Sequence, residues 1–483
     1  MHYKSLLLAV LLSSLLVFGV HLGFSSFMDP LTGITSERPY PFPIHNDEWA
    51  HLSQAIQIID RGKLQNINPY TGEHHQAKEP GFHLLLALIF QETGLDPVLH
   101  YQLLAAIFMA VNSLGLFALV KKLIGNYYIA VLSVLFFASI RSNMNLLGNW
   151  FFLPLTASMI LVFSIFTAKD RMLRAILFAA SLIIYPLAAA LILMLMLFSI
   201  RKLTVKAAPL LVFVASVFLV FMVVFVWRNN IAATSEHLWS LLFFERGWAS
   251  HEYNYSIPRL FGYMPSLLAL AGIVLTFLKR LDRIFVSWVL LMLAEASLFV
   301  YLGFTVLIGY QRALYYLMCG ASVLAAIALY HLISSAIRHL GKAAAISAAA
   351  VILAAVFFSA FSGYYAVEPE QFRLHAILDN ARYESLQWLK EQHGTDNLVM
   401  ADPFLSVAVY PVTGDRVVGL LPSNLPGGDL PAVDEFYRGG CAEKIQILRE
   451  TGPEYVLSHY PITCKYLNPV YLEGPYVYSS ALR

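Results

Sequence analysis

The sequence predicts an all-α polytopic membrane domain of about eleven segments, followed by a small α/β extracytoplasmic domain. Three observations carry this. Hydrophobic residues make up 58% of the 483 and charged residues 13%, against roughly 25% charged in an ordinary soluble domain; mean hydropathy is +0.65. Short basic clusters recur between long apolar runs. After residue 363 the apolar runs stop and the chain takes on the mixed pattern of a folded water-facing unit.

A membrane span needs about 20 apolar residues. Candidate runs are 5–24, 98–120, 126–140, 150–168, 175–200, 207–227, 260–278, 284–303, 313–335 and 343–363. The first follows Lys4 and is long for the apolar region of a signal peptide, with no clean small-residue cleavage site after it, so a retained span is expected. Basic residues cluster at Lys4, Lys121-Lys122, Lys169 to Arg174, Arg201 to Lys206, Lys279 to Arg283, and Arg338 with Lys342. Positive charge marks cytoplasmic loops, which places the N-terminus inside. The run 175–200 carries basic clusters at both ends and Tyr185-Pro186 at its middle. As one helix it would be about 39 Å long, and proline removes a helix hydrogen bond. Two short helices meeting near Pro186 are expected. All clusters then lie inside and the tail lies outside.

The predicted domains are therefore 1–363, a membrane domain with a long first exterior loop (25–97), and 364–483, an exterior α/β domain. The loop 228–258 is rich in aromatics, among them Trp239, Trp248 and Tyr253, which suits the headgroup layer. In the tail, Tyr383 to Leu389 reads as an amphipathic helix. Asn397 to Ala401 and Arg416 to Leu420 read as strands, separated by Pro403, Pro411 and Gly414. The chain has three cysteines. Cys319 lies in an apolar run; Cys441 and Cys464 share the exterior domain, where a disulfide is permitted and two free thiols are the alternative. No zinc spacing is present. Basic residues do not interleave with aromatics, so no nucleic-acid partner is expected.

The chemistry-bearing residues gather in the first loop. His45-Asn46-Asp47-Glu48 opens a segment with apolar positions at Trp49, Leu52, Ile56 and Ile59, one face of a helix lying along the membrane surface. The plain alternative for this start is helix capping by Asn46 or Asp47. Further on comes Glu73-His74-His75-Gln76-Ala77-Lys78-Glu79-Pro80-Gly81-Phe82-His83. Glu73, His74, His75 and Glu79 have metal-ligand chemistry, but adjacent histidines point apart and no histidine pair stands at i, i+4. Glu295 is the one acid deep inside an apolar run, where such residues are functional candidates or pair across helices.

At these residues the sequence resembles the GT-C glycosyltransferase superfamily. Its members include the oligosaccharyltransferase catalytic subunits, protein O-mannosyltransferases and the lipid A aminoarabinose transferase. Members begin the first exterior loop with an acidic residue followed by a surface helix, matched by Asp47-Glu48 and the stretch Trp49 to Gly62. A Lys-Pro-Pro-Leu-like motif then leads into a short apolar helix and a glycine. Lys78-Glu79-Pro80-Gly81-Phe82, Leu84 to Phe90 and Gly94 match it, with Gly81 in place of the second proline. The turn 141–149 holds none of the acids that oligosaccharyltransferases place there for a metal.

The resemblance implies transfer of a sugar from a polyprenyl-phosphate donor to a glycan, lipid or protein acceptor on the extracytoplasmic face. It implies Asp47 as the base, with Glu48 orienting it, binding the acceptor or facing water. Lys78 and Arg312, in Gly309-Tyr310-Gln311-Arg312, are the cations it implies for the leaving phosphate. Their plain alternatives are a solvated loop lysine and an arginine reaching to the interface. His45, His74, His75, Glu79 and Tyr310 are candidate donor or acceptor contacts. A divalent cation, Mg or Mn, stays open as a cofactor, with Asp47 as its ligand. Two other functions remain: a transporter or flippase of lipid-linked sugars, and an inert membrane scaffold with a binding tail.

Overall fold

The computed structural model describes residues 2–32, 42–75, 77–140, 148–199, 243–245, 257–365, 377–421, 425–472 and 475–481. The expected span 207–227 and nearly all of the aromatic loop 228–258 lie outside them. Two compact units emerge: residues 1–17, 105–150 and 154–366 form one, and 18–104, 151–153 and 367–483 the other.

The first unit is helical. Its centre is the helix Tyr310–Leu340, buried at every position from Ala313 to Leu329. A helix apolar on all sides is one with neighbours on all sides, and Tyr127–Ala138, Tyr263–Leu278, Ile284–Leu302 and Lys342–Tyr365 pack around it. Gly272 sits where a Cβ would collide with the Leu324 backbone, so glycine lets Tyr263–Leu278 lie directly on the central helix. Two polar side chains of this core bridge its helices. Tyr315 donates to Asn149 Oδ1 at 2.5 Å, and Asn149 Nδ2 donates to the Phe137 carbonyl at 2.7 Å.

Four helices among the described residues are long and apolar enough to cross a membrane: Pro97–Ile124, Ile284–Leu302, Tyr310–Leu340 and Lys342–Ala360. Among the described residues, shorter apolar helices occupy other expected runs, including Tyr127–Ala138, Pro154–Thr167 and Tyr263–Leu278. The expected break falls at Tyr185: the helix Arg171–Ile184 stops there, its backbone extended (φ −156°, ψ 99°), and Pro186–Ser199 begins at the proline. Proline at a first helical position costs no hydrogen bond. Both halves pack on Pro154–Thr167. Lys122 Nζ donates to the Phe166 and Thr167 carbonyls, a cation on the negative end of that helix. Glu295 is spent locally: its Oε2 accepts the Val306 N–H at 2.8 Å. It thereby anchors the short strand Phe304–Val306, which pairs antiparallel with Phe243–Glu245.

The second unit holds a five-stranded sheet ordered Arg416–Val417, Leu398–Met400, Tyr455–Ser458, Tyr476–Ser480, Leu467–Tyr471. The first three strands are parallel neighbours and the last two pair antiparallel. Helices Leu430–Arg438 and Cys441–Thr451 cover one apolar layer built on Met400, Val433, Phe436, Leu448 and Val456. The helix read at Tyr383 to Leu389 runs Asn380–His393. Between the first two predicted strands the chain forms the helix Ser406–Thr413 with Pro411 inside it, where the proline had been read only as a separator. Cys441 and Cys464 are joined by a disulfide, with Cα atoms 5.5 Å apart.

The grouping of residues differs from the expected division in one respect: the first loop clusters with the C-terminal segment. Tyr70 explains it. Its hydroxyl donates to the Val407 carbonyl at 2.7 Å and its own carbonyl accepts the Val417 N–H at 2.8 Å, while Asn68 Nδ2 reaches the Pro426 carbonyl at 3.0 Å.

Candidate active site

The loop helix Asn46–Arg61 starts with a capping box made by His45 and Glu48. His45, in extended backbone (φ −103°, ψ 146°), accepts the Asp47 N–H on Nδ1 at 3.0 Å. Glu48 turns inward and is fully buried. Its Oε2 accepts the N–H groups of Ile44 (2.9 Å) and His45 (3.1 Å), and its Oε1 that of Phe152 (3.0 Å). Burial pushes its carboxyl up to about 7, against the pull of those three donors. Glu48 therefore fixes the helix start to the 151–153 segment and does not face water.

This corrects the expected cap. Asn46 and Asp47 do not cap the helix; His45 and Glu48 do. The consequence falls on Asp47, whose carboxylate is not consumed by the helix it begins. Its side chain keeps 21% of its exposure, and Oδ2 lies 3.9 Å from His45 Nδ1. A nitrogen that accepts a backbone N–H carries no proton, so His45 Nδ1 donates no hydrogen bond to the carboxylate. Asp47 and Glu48 diverge, as neighbours on a helix must.

The second cluster follows the end of the loop helix. His74 pairs with Ile67 in a small β-bridge and is exposed, while His75 is half-buried and donates its N–H to the Asn66 carbonyl. Burial and the nearby charges of Lys78 and His74 hold His75 below the usual imidazole range. Pro80–Thr93 forms the short apolar helix, started by its proline and ended by Gly94 in the left-handed conformation (φ 66°). Glu79 precedes it without capping it. Glu73 Oε2 takes the Thr71 hydroxyl.

A small cleft brings His75, Lys78 and Glu79 together with His51, Gln54 and His83. The last three had not been singled out. A signal was there: Asp47, His51 and Gln54 stand at i, i+4 and i+7, one face of a helix. His51 Nδ1 and His83 Nε2 are 2.9 Å apart, and burial drives the His83 imidazole down to about 3, so it is neutral.

Arg312 lies in the helical unit, on the first turn of the central helix. Its Nε donates to the Tyr185 hydroxyl at 3.1 Å, at the helix break. Tyr310 is buried and stacks on Phe299, ring centres 4.6 Å apart. Lys78 and Arg312 thus belong to different units.

Among the described residues, no three His, Cys, Asp or Glu side chains are arranged to hold a metal. Near Asp47, the Glu48 oxygens are already taken by backbone donors. The described residues do not fit a metal at Asp47, and no step is derived through one.

No protein-family model matches the chain, and no curated protein matches it in sequence. Solved structures do. An oligosaccharyltransferase of Archaeoglobus fulgidus, tethered to an acceptor peptide, matches at TM-score 0.54 and 13% identity, over 94% of this chain and 69% of that one. A structure of the same enzyme contains Zn and sulfate. ArnT from Cupriavidus metallidurans, bound to undecaprenyl phosphate, matches at TM-score 0.58 and 11% identity, over 98% and 97% of the two chains. The mycobacterial arabinofuranosyltransferase AftD matches at TM-score 0.58 and 13% identity over 99% of this chain, which spans 40% of that protein. At such identities the likeness is one of architecture: this chain has the fold of the GT-C membrane glycosyltransferases.

Proposed function

We propose that the chain transfers a sugar from a polyprenyl-phosphate donor to an acceptor hydroxyl on the extracytoplasmic face, with Asp47 as the base. One observation carries the assignment. Of the two acids that open the loop helix, Glu48 is buried and spent on three backbone N–H groups, while Asp47 keeps a partly exposed carboxylate that caps nothing. In the reaction the acceptor oxygen bonds to C1 of the sugar as the bond from C1 to the phosphate oxygen breaks. Asp47 takes the acceptor proton, and the phosphate leaves with both bonding electrons. Lys78, in the same unit as Asp47, is the cation assigned to its negative charge; Arg312, in the helical unit, is a second candidate for a donor phosphate. The fold supports this, because ArnT of the same architecture binds undecaprenyl phosphate. The transport reading is weakened by Glu295, the intramembrane acid it would use, which already holds the Val306 N–H.

The test is donor consumption by the purified full chain. It is offered undecaprenyl phosphates carrying different labelled monosaccharides, with membrane extract as the source of acceptor. Asp47-dependent release of undecaprenyl phosphate together with labelled product is expected. Donor moved across a vesicle membrane without release of the sugar would make the chain a flippase.

A further inference from the structure

Tyr70 makes contacts that the reaction above does not use. Its side chain is fully buried, and its hydroxyl donates to the Val407 carbonyl at 2.7 Å, with the Trp49 carbonyl 3.3 Å away. A carbonyl inside a helix ordinarily accepts the N–H four residues further on. Four residues after Val407 stands Pro411, inside the helix Ser406–Thr413, and proline has no N–H. The proline therefore leaves the Val407 carbonyl open, and a tyrosine 337 residues earlier in the chain fills it. A buried carbonyl without a donor is destabilising, so Tyr70 and Pro411 make sense together and neither does so from its own element alone.

Tyr70 does not need that hydroxyl to stay in place. Its N–H donates to Asn68 Oδ1 at 3.0 Å, its carbonyl accepts the Val417 N–H at 2.8 Å, and Asn68 Nδ2 donates to the Pro426 carbonyl at 3.0 Å. The ring also meets Tyr410 edge-on, centres 6.0 Å apart. With the turn docked by these contacts, the hydroxyl is left with a separate task. Its two carbonyls lie on the helices Asn46–Arg61 and Ser406–Thr413, which pack against each other. The second of these is itself anchored where it begins. Asp402 Oδ1 accepts the Phe404 and Leu405 N–H groups, and His459 Nε2 stands 2.8 Å from Asp402 Oδ2. Trp49 comes two residues after Asp47, and Glu48 ties the same helix start to the Phe152 N–H. The turn that carries Asp47 is thus held at two points, by Glu48 and by Tyr70.

We propose that Tyr70 is a positioning residue for Asp47: its hydroxyl, seated on the carbonyl that Pro411 leaves open, sets the first turn of the loop helix against the C-terminal segment and so aims the Asp47 carboxylate. The proposal rests on the glycosyltransferase reading and deepens it. A base must lie within hydrogen-bond reach of the proton it takes, and a misplacement of about 1 Å can cost on the order of 100-fold in rate.

The test separates aiming from packing with three variants of the full chain in nanodiscs. Each is measured for Tm, for affinity toward the glycosylated undecaprenyl phosphate that the wild type consumes, for kcat of transfer, and for hydrogen exchange of the amides in 46–55. Tyr70→Phe removes only the hydroxyl. It should lower Tm by several degrees, lower kcat about tenfold, leave donor affinity unaltered and speed exchange in the first turns of the loop helix. Adding Pro411→Ala to it supplies the Val407 carbonyl with an N–H from its own helix. Tm should then return, while kcat stays low and exchange stays fast. Val456→Ala opens the apolar layer under Leu430–Arg438 and Cys441–Thr451. It should lower Tm with kcat unchanged, and it is the deciding comparison if the double variant does not recover its Tm. Recovery of kcat together with Tm in the double variant overturns the proposal, because Tyr70 would then only stabilise. So does an equal loss of kcat in Val456→Ala, or wild-type kcat in Tyr70→Phe. Weakened donor binding at unchanged kcat would place the effect on Lys78 and overturn it as well. If the wild type transfers no sugar, the glycosyltransferase reading falls and exchange decides alone. Unchanged exchange in Tyr70→Phe then refutes the tie, and faster exchange that Pro411→Ala does not correct upholds it.

Discussion

Replacing Glu48 with alanine removes the acceptor shared by three backbone N–H groups while leaving Asp47 in place. Two of those donors, on Ile44 and Phe152, belong to residues without solvent exposure. Water cannot take over the lost bonds there. An unsatisfied buried donor costs about 1–3 kcal/mol, so the pair costs roughly 2–6 kcal/mol, before any loss from the weakened helix cap. That is a large part of the margin by which a typical domain is folded. The assay is thermal unfolding of the detergent-purified chain at pH 8, where the wild-type carboxyl is ionised, with sugar transfer measured on the same preparations. Glu48→Ala should lower the apparent Tm by several degrees and lose activity along with it. Glu48→Gln, which keeps one accepting oxygen, should fall between. If Glu48→Ala kept the wild-type Tm and lost all turnover, Glu48 would be a chemical group rather than an anchor, and the separation of roles between the two acids would be wrong.

Other predictions follow from the same structure. The Glu48 carboxyl rises from 4.5 in the unfolded chain to about 7 on folding; its proton is bound more tightly in the folded state. Stability from this group is therefore complete below about pH 4.5 and lost as pH rises through 7, by roughly 3 kcal/mol; Tm plotted against pH should slope less in Glu48→Gln, and an unchanged slope would contradict it. Reducing the Cys441–Cys464 disulfide, or replacing both residues with serine, should cost the exterior segment roughly 3 kcal/mol for a loop of this length, read as a lower unfolding midpoint; alkylation of both thiols in the native protein would refute the bridge. Tyr185→Phe removes the acceptor for Arg312 Nε and should weaken donor binding several-fold with little change in Tm; normal donor affinity would leave Arg312 positioned by other contacts. Cysteine labelling from outside should reach position 460, where Tyr460 is exposed, and not 204, and the reverse pattern would invert the topology.

Much of the membrane unit was legible because the bilayer imposes a length and a composition on each span. The break at Tyr185-Pro186 was legible for a local reason, since proline cannot sit inside a helix without losing a hydrogen bond. What escaped was everything decided at long range. Tyr70 is an ordinary loop tyrosine in sequence, yet its hydroxyl bonds Val407, 337 residues away. The cap escaped for a similar reason. Asn46 and Asp47 are better capping residues than histidine by preference, but Glu48 is drawn inward by the Phe152 N–H, 104 residues on, and His45 takes the cap position beside it. The site was half visible. Asp47 and Lys78 stood out by residue type, whereas Gln54 and His83 join the site only through their burial beside it, which no short-range pattern marks.

The measurement that bears most directly on the central claim is turnover by Asp47→Asn. The substitution keeps the size of the side chain and removes only its ability to take a proton. It touches neither the His45 cap nor the Glu48 bonds, both of which use other atoms. The account predicts wild-type Tm, near-normal affinity for a glycosylated undecaprenyl phosphate, and sugar transfer reduced below detection. Near-normal transfer by this variant would contradict it, leaving Asp47 as a surface residue at a helix start.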